Sequence, residues 1–152
     1  MEFVKKFVTF LHQKEIIKFG DFILASGKSS SYYVDLRLVP SYPHEFRMMV
    51  KHLENQITND IGLDNFESIV SVPTGGLVIA SALAIETVKP LIYVRSKPKN
   101  YGTLKSVEGK IHDGMKVVMI DDVATTGGSV VNAIKSLAEV NVPVKDVYVI
   151  VD

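Results

Sequence analysis

The sequence of 152 residues contains no cysteine and no tryptophan. The absence of cysteine excludes a disulfide scaffold, a thiolate zinc site and thiol catalysis. The 17 Lys and Arg residues balance 17 Asp and Glu residues, which argues against a protein that binds nucleic acid or a membrane surface mainly through charge. No apolar run approaches the ~18 residues of a membrane span, and the first residues lack the apolar block of a signal peptide. We therefore expect a soluble, cytoplasmic protein.

Apolar residues make up 47% of the chain, which is enough for a hydrophobic core that needs no disulfide bonds to stabilise it. This length is typical of a single domain. We therefore predict one domain over residues 1–152, made of an N-terminal helix and hairpin in residues 1–40 and an α/β core in residues 41–152.

The N-terminal third predicts a helix, a hairpin and a second helix. Apolar residues recur at helical spacing over residues 2–14 and again over residues 42–59. Between them, β-prone runs at 22–24 and 32–34 flank a small polar turn at 25–31, which is typical of two strands joined by a loop.

The rest of the chain alternates between short apolar runs and helical patterns. Strands are predicted at 69–72, 91–94, 116–120 and 147–151, helices at 77–87 and 129–140, and loops at 73–76 and 121–128, with a polar stretch at 96–113. Continuous apolar strands separated by helices indicate a mainly parallel sheet covered by helices. Ligands of such sheets bind at the carboxyl ends of the strands, where the loops gather.

The most informative segment covers residues 117–129, VVMIDDVATTGGS. A buried strand ends in two adjacent carboxylates, Asp121 and Asp122, and a loop of hydroxyl and glycine residues then opens a helix. Free backbone N–H groups at a helix N-terminus bind phosphate, and glycines allow the backbone to approach it. The carboxylates suit sugar hydroxyls, a Mg²⁺ shell or a developing positive charge. The segment thus predicts a site for a sugar phosphate that becomes cationic; the alternative is a solvated strand end beside an ordinary helix cap.

A second informative segment, residues 93–103 (YVRSKPKNYGT), leaves a predicted strand and enters the polar stretch. Its basic residues include Arg95 and Lys99. By charge alone this is a solvated basic loop, but beside a phosphate site such a loop can close over a pyrophosphate and exclude water.

Together with the hairpin sequence FILASGKSSSYYVDLR at 22–37, these segments resemble the orotate phosphoribosyltransferases, members of the type I phosphoribosyltransferase family. The 117–129 segment resembles that family's signature for 5-phosphoribosyl-1-pyrophosphate (PRPP). The resemblance covers essentially the whole chain and implies the type I fold, with the N-terminal helix and β-hairpin forming a hood. It also implies transfer of a phosphoribosyl group from PRPP to orotate in pyrimidine biosynthesis.

The resemblance also assigns roles to individual residues. Arg95, Lys99 and Tyr101 match the loop positions that contact pyrophosphate, with Tyr101 in place of the family's usual histidine. Asp121 and Asp122 match positions that hold the ribose hydroxyls and, with Arg95 and Lys99, form the predicted catalytic set. The predicted PRPP-binding loop comprises Asp121, Asp122, Val123, Ala124, Thr125, Thr126, Gly127, Gly128 and Ser129, with the 5-phosphate on Thr126 to Ser129.

Further positions complete the predicted site. Thr74 and Gly75 lie in the loop that matches the family's pyrophosphate cradle, and Thr125, Tyr33 and Val34 match positions that contact orotate. The resemblance implies Mg²⁺ as cofactor, carried mainly by PRPP oxygens, so no protein metal ligand is predicted. It also implies a homodimer in which the loop serves the neighbouring site.

The sequence departs from the family's pattern at Ala25, at Ser96 and at its end. The family continues past the last strand with a segment whose arginine holds the orotate carboxylate, whereas this sequence stops at Asp152 and so looks short at the C-terminus. PRPP binding is therefore the firmer expectation. The alternatives are a PRPP-binding regulator and a phosphoribosyltransferase for another base.

Overall fold

A computed structural model describes residues 2–23, 27–95 and 106–152. The chain forms two compact units, residues 1–52 and residues 53–152. The prediction of a single domain over the whole chain stays a prediction. In the described ranges, no helix combines the length and the apolar character that crossing a membrane would require.

The first unit contains an N-terminal helix, an antiparallel hairpin and the first part of a second helix. Its elements are α1 (Glu2–Gln13), β1 (Ile17–Ile23), β2 (Ser29–Val34), a 3₁₀ helix (Leu36–Ser41) and most of α2 (Pro43–Asp60). Helix α1 buries Phe7 and Leu11, while Phe3 stacks on Phe7 with ring centroids 5.4 Å apart. The predicted N-terminal helix and hairpin are thus confirmed.

The hairpin is longer than the sequence pattern indicated. Strand β1 starts at Ile17, which pairs with Val34 of β2, whereas the sequence predicts a β-prone run only at 22–24. Most of β1 is solvent-exposed, and its register shifts between Phe19 and Phe22. An exposed, irregular strand lacks the alternation that identifies a strand in sequence. Residues 24–26, which include the last residue of the predicted run at 22–24, the first two of the predicted turn at 25–31 and the departure at Ala25, lie outside the described residues.

The second unit is a five-stranded sheet with helices packed on it. The elements are a 3₁₀ helix (Leu63–Asn65), β3 (Ser68–Ser71), α3 (Gly75–Thr87), β4 (Leu91–Val94), β5 (Val107–Glu108), β6 (Val117–Val123), α4 (Gly128–Ala138) and β7 (Val144–Val151). The strands follow the order β5-β4-β3-β6-β7, in which β5 alone runs antiparallel to its neighbour. The predicted mainly parallel α/β sheet is confirmed.

The two strand-helix-strand connections run in opposite directions across the sheet. From β3 the chain passes through α3 to β4, and from β6 it passes through α4 to β7 on the other side. Since such crossovers are right-handed, α3 and α4 cover opposite faces. Helix α3 packs mainly on β6 and β3, and α4 contributes Ala133 and Leu137 to a core cluster on the sheet.

Two segments differ from the prediction. Strand β6 continues to Val123, so Asp121 and Asp122 belong to the strand and not to a loop at 121–128. The longer neighbour β7, which pairs Asp121 with Val149 and Val123 with Val151, provides the partner for this extension. In addition, the polar stretch at 96–113 contains β5, which pairs with the end of β4. A two-residue strand is too short to show a period in sequence.

Candidate active site

The strand order creates a crevice between the carboxyl ends of β3 and β6. Because the chain leaves these adjacent parallel strands in opposite directions, their carboxyl ends form a topological switch point, where open α/β sheets bind ligands. The predicted PRPP loop follows β6, and the predicted pyrophosphate loop at 73–76 follows β3. The structure therefore brings these two predicted loops to the same edge of the sheet.

Asp121 is the buried carboxylate of this edge. Its residue is only 6% exposed, and its Oδ1 accepts a 3.0 Å hydrogen bond from the backbone N–H of Asp122. Burial raises the pKa of Asp121 to about 6, and the neighbouring Asp122 carboxyl adds to the rise, while the Asp122 N–H opposes it. Two adjacent acids with different environments can hold hydroxyl groups and stabilise a nearby positive charge.

The first turn of α3, which follows β3, packs directly against Asp121. A Cβ atom on Gly76 would lie 2.5 Å from Oδ1 of Asp121 and 2.9 Å from Oγ of Ser71. Ser71 is fully buried, and its hydroxyl donates a 2.7 Å hydrogen bond to the carbonyl of Ile120, which joins the ends of β3 and β6. Ser71 and Gly76 thus support the acidic pair; the sequence pattern does not single out Ser71, and it gives Gly76 only as part of the predicted loop at 73–76. The sequence signal for Gly76 is the Gly75-Gly76 pair, which follows the buried strand β3 after Val72, Pro73 and Thr74.

Both helices that start at this edge have N-termini suited to an anion. Helix α4 follows Gly127, whose φ of +68° places it in the left-handed region, and α3 follows Thr74. Neither helix has a side-chain hydrogen bond that caps its N-terminus, and neither has an acidic residue in its first turn. The first N–H groups of a helix carry partial positive charge and bind phosphate groups.

The residues of the predicted PRPP loop form a continuous surface from β6 to α4. Asp122, Val123 and Ala124 are half-buried, and the N–H of Ala124 donates to the carbonyl of Val151, which holds the start of the loop on β7. The exposed residues are Thr125, Thr126, Gly128 and Ser129. The buried Asp121 and the exposed hydroxyl groups therefore occupy separate parts of the same segment.

A cavity of about 310 Å³ lies beside this turn. Its polar lining comes from Arg95, Ser106, Ser129, Asn132 and Ser136, with Pro73 among its apolar walls. The cavity joins two predicted site residues, Arg95 and Ser129. Asn132 and Ser136 were not selected from the sequence, although residues 129, 132 and 136 share one helix face by their spacing.

Arg95 follows β4 and contacts residues at and beside the paired strand β5. Its N–H donates to the carbonyl of Ser106, and its Nη1 lies 3.3 Å from Oε1 of Glu108 on β5. This ion pair is partly buried, which holds the guanidinium at the cavity wall. The other predicted residues of this loop, Lys99 and Tyr101, and the departure at Ser96 lie outside the described residues.

The predicted orotate contacts Tyr33 and Val34 lie at the end of β2 in the first unit. The Tyr33 ring is tilted against Phe22 of β1, with centroids 5.7 Å apart. Both residues are half-buried. The aromatic surface of the hairpin is therefore formed by both of its strands.

Comparison with known proteins identifies the family. The model of the phosphoribosyl transferase domain matches residues 43–152. An orotate phosphoribosyltransferase of Cenarchaeum symbiosum is 51% identical over 152 residues, which is 100% of this chain and 76% of the relative. The chain belongs to the orotate phosphoribosyltransferases. The residues matched by the domain model include both loops at the sheet edge.

Solved structures of the family share the fold. The orotate phosphoribosyltransferase from Aeropyrum pernix is 35% identical with a TM-score of 0.79, over 93% of this chain and 78% of that one. The UMP synthase of Leishmania donovani is 33% identical with a TM-score of 0.79; the match covers 95% of this chain and 30% of that longer one. These likenesses confirm the predicted type I fold and its family.

Proposed function

We infer that the protein transfers the 5-phosphoribosyl group of PRPP to orotate, giving orotidine 5′-phosphate and pyrophosphate in pyrimidine biosynthesis. The observation that carries this function is the meeting of two uncapped helix N-termini and an acidic pair, whose first member Asp121 is buried, at one switch point. The choice of orotate as the base rests on the relatives named orotate phosphoribosyltransferase, one of which is 51% identical over this chain.

In the proposed mechanism, the bond between C1 of the ribose and the pyrophosphate oxygen breaks, and its electron pair leaves with pyrophosphate. The ring then carries positive charge until a ring nitrogen of orotate, whose proton passes to water, forms the new bond to C1. Asp121 and Asp122 hold the ribose hydroxyls, and their negative charge stabilises the cationic ring. Asp121, with a pKa of about 6, is mostly ionised at neutral pH and can act in this way.

The phosphate groups of PRPP are assigned to the two loops. The 5-phosphate binds the turn from Thr126 to Ser129 at the start of α4, through backbone N–H groups and hydroxyls. Pyrophosphate binds the loop with Thr74 and Gly75 at the start of α3. Arg95 and Lys99 stabilise the departing anion, and Tyr101 donates a hydrogen bond to it. Thr125, Tyr33 and Val34 contact orotate in this proposal.

Magnesium is proposed as the cofactor because a pyrophosphate leaving group carries several negative charges. The chemistry that Mg²⁺ supplies when bound is neutralisation of that charge. The chain offers Asp121 and Asp122, whose carboxylate oxygens fit a hydrated Mg²⁺ held mainly by PRPP. Within residues 2–23, 27–95 and 106–152, no group of three or more His, Asp and Glu side chains is arranged to hold a metal by itself. A homodimer and a cytoplasmic location complete the proposal and can be checked by sedimentation and by cell fractionation.

The test is an assay of the purified chain with PRPP, Mg²⁺ and orotate, measuring both orotidine 5′-phosphate and pyrophosphate. Uracil, adenine, hypoxanthine and guanine serve as comparison bases. Turnover with orotate and with none of the comparison bases supports the proposal, whereas turnover with a purine identifies a transferase for another base. PRPP binding by calorimetry without turnover of any base identifies a PRPP-binding regulator.

The role of Lys99 is tested by Lys99→Ala. We expect kcat to fall at least tenfold with PRPP binding retained, because one positively charged side chain that contacts the leaving group commonly contributes this much to the rate. Lys110, an exposed lysine beyond the loop, provides the matched control as Lys110→Ala. Unchanged turnover in Lys99→Ala removes Lys99 from the catalytic set.

A further inference from the structure

Arg37 forms a two-point ion pair with Asp35 immediately after the hairpin. Its Nε lies 2.6 Å from Oδ1 of Asp35, and its Nη2 lies 2.9 Å from Oδ2. This fork geometry fixes the plane of the guanidinium as well as its position. Lysine cannot reproduce it, because an ammonium group is a point charge without a plane.

Asp35 is itself held in place by backbone hydrogen bonds. Its N–H donates to the carbonyl of Ile16 at 2.9 Å, and its Oδ1 accepts from the N–H of Arg37 at the start of the 3₁₀ helix. The hydrogen bond from the Arg37 side chain lowers the pKa of Asp35, so the carboxylate stays ionised at neutral pH. The flanking residues Leu36 and Val39 are buried. The guanidinium is therefore anchored to ordered backbone, although its own side chain is exposed.

The same guanidinium reaches the predicted orotate contact. Nη2 of Arg37 donates a 3.1 Å hydrogen bond to the hydroxyl oxygen of Tyr33. The Tyr33 ring also lies against the ring of Phe22, with centroids 5.7 Å apart and the two planes tilted by 32°. Since the hydroxyl oxygen accepts from Arg37, its own proton points elsewhere and can be donated to another acceptor. The arrangement fixes both the ring and the direction of its hydroxyl group.

We propose that Arg37 is a positioning residue for the base: it holds Tyr33 so that the Tyr33 hydroxyl donates a hydrogen bond to an acceptor oxygen of the pyrimidine. This inference rests on the proposed function, because it takes Tyr33 as a contact of orotate. Arg37 itself does not touch the base. It acts through Tyr33, and Asp35 sets its orientation.

The experiment measures the KM of orotate and the KM of PRPP separately in Arg37→Gln, Tyr33→Phe and the double variant. Each single substitution should raise the KM of orotate roughly 3- to 10-fold, the range expected for one hydrogen bond, and leave the KM of PRPP within about twofold. The double variant should resemble Tyr33→Phe, since Arg37 has no further effect on the base once the hydroxyl is gone. Arg47→Gln, at an exposed arginine of α2, is the matched control and should leave both constants unchanged.

A purely structural role for Arg37 predicts a different pattern. Arg37→Gln would then lower the melting temperature and change both KM values together, or neither, and this result overturns the inference. Because Tyr33→Phe keeps the ion pair with Asp35, it decides the question even if Arg37→Gln fails to fold: an unchanged KM for orotate in Tyr33→Phe also overturns it. Absence of orotate turnover in the unmodified chain is a separate outcome, which overturns the proposed function and this inference with it.

Discussion

Gly76 and Asp121 pack so closely that no side chain fits between them. A Cβ atom at position 76 would stand 2.5 Å from Oδ1 and 3.0 Å from Cα of Asp121. The first turn of α3 therefore lies directly on the strand that carries the acidic pair. This contact ties the two loops of the proposed active site to one another within the second unit.

Gly76→Ala should consequently lower both stability and activity. Overpacking of a tight interior contact costs about 1–3 kcal/mol, and here the only relief is a displacement of Asp121 or of the start of α3. We expect a lower free energy of unfolding in urea and a lower kcat/KM for PRPP. Gly128→Ala is the stability control, because its Cβ would meet Thr126 Oγ1 at an ordinary 3.6 Å. A Gly76→Ala variant as stable and active as the unmodified chain would contradict this packing.

Gly127 limits substitution for a different reason, which is its backbone conformation. A Cβ atom there would meet nothing within 4 Å, but the φ of +68° lies in the left-handed region. Gly127→Ala should destabilise the protein by about 1–2 kcal/mol, whereas Gly127→Asn should cost less because asparagine tolerates this region. Urea denaturation of both variants checks the order. Equal losses for Ala and Asn would show that the backbone conformation does not decide the effect.

The sequence was sufficient to predict the order of the main elements and the position of the acidic pair. Buried parallel strands such as β3 and β6 appear as continuous apolar runs, so Asp121 stood out as the first charge after one. Strand β5 and the first half of β1 could not be predicted, since they depend on pairing with partners and have little apolar pattern of their own.

The packing that supports the acidic pair was harder to predict from the sequence than the pair itself. Ser71 and Gly76 act through contacts between β3, α3 and β6, and such contacts depend on the sheet order, which a sequence does not display. The same holds for the pairing of Arg95 with Glu108, which follows from the short strand β5. Local chemistry is visible in a sequence, whereas the neighbours that a side chain acquires through folding are not.

The raised pKa of Asp121 makes stability depend on pH in a defined direction. Its pKa rises from 3.8 to about 6 through burial, so the native state binds this proton more tightly than the unfolded state does. The contribution to stability is complete below about pH 4 and is lost as the pH rises through 6. The stability of Asp121→Asn relative to the unmodified chain should therefore increase as the pH rises from 4.5 to 7.5. The increase should be on the order of 1–2 kcal/mol, because solvent screening reduces the effect of the full pKa shift.

Thermal melts of the unliganded protein at the two pH values measure this difference. The Oδ1 of an asparagine can still accept the hydrogen bond from the Asp122 N–H, so the substitution changes the charge with little change of shape. Asp64→Asn, at an exposed carboxyl group, is the matched control and should show no comparable gain. A gain of Asp121→Asn that is independent of pH would mean that Asp121 does not titrate in this interval.

A second pH-dependent contact lies where the connection before β6 meets the start of β3. Nε2 of His112 lies 3.0 Å from Oε1 of Glu67, and Nδ1 lies 3.1 Å from the carbonyl oxygen of Asp113. Both partners are acceptors, so both hydrogen bonds form only with the doubly protonated imidazolium. The carbonyl of Asp113 and the Glu67 carboxylate raise the pKa of His112, while the Lys116 N–H and then His112 lower that of Glu67.

The stabilisation from the His112–Glu67 pair should be largest between about pH 4.5 and 6.5, because the carboxylate is then ionised and the imidazole protonated. It is lost as the pH rises through the raised pKa of His112. His112→Gln should therefore lower the melting temperature more at pH 5.5 than at pH 8.5, by a small amount since both side chains are exposed. His12→Gln removes a histidine that lies near Phe19 instead and provides the control. An NMR titration of His112 adds an independent readout, and a pKa at or below 6.5 would show that the imidazolium is not favoured by these two acceptors.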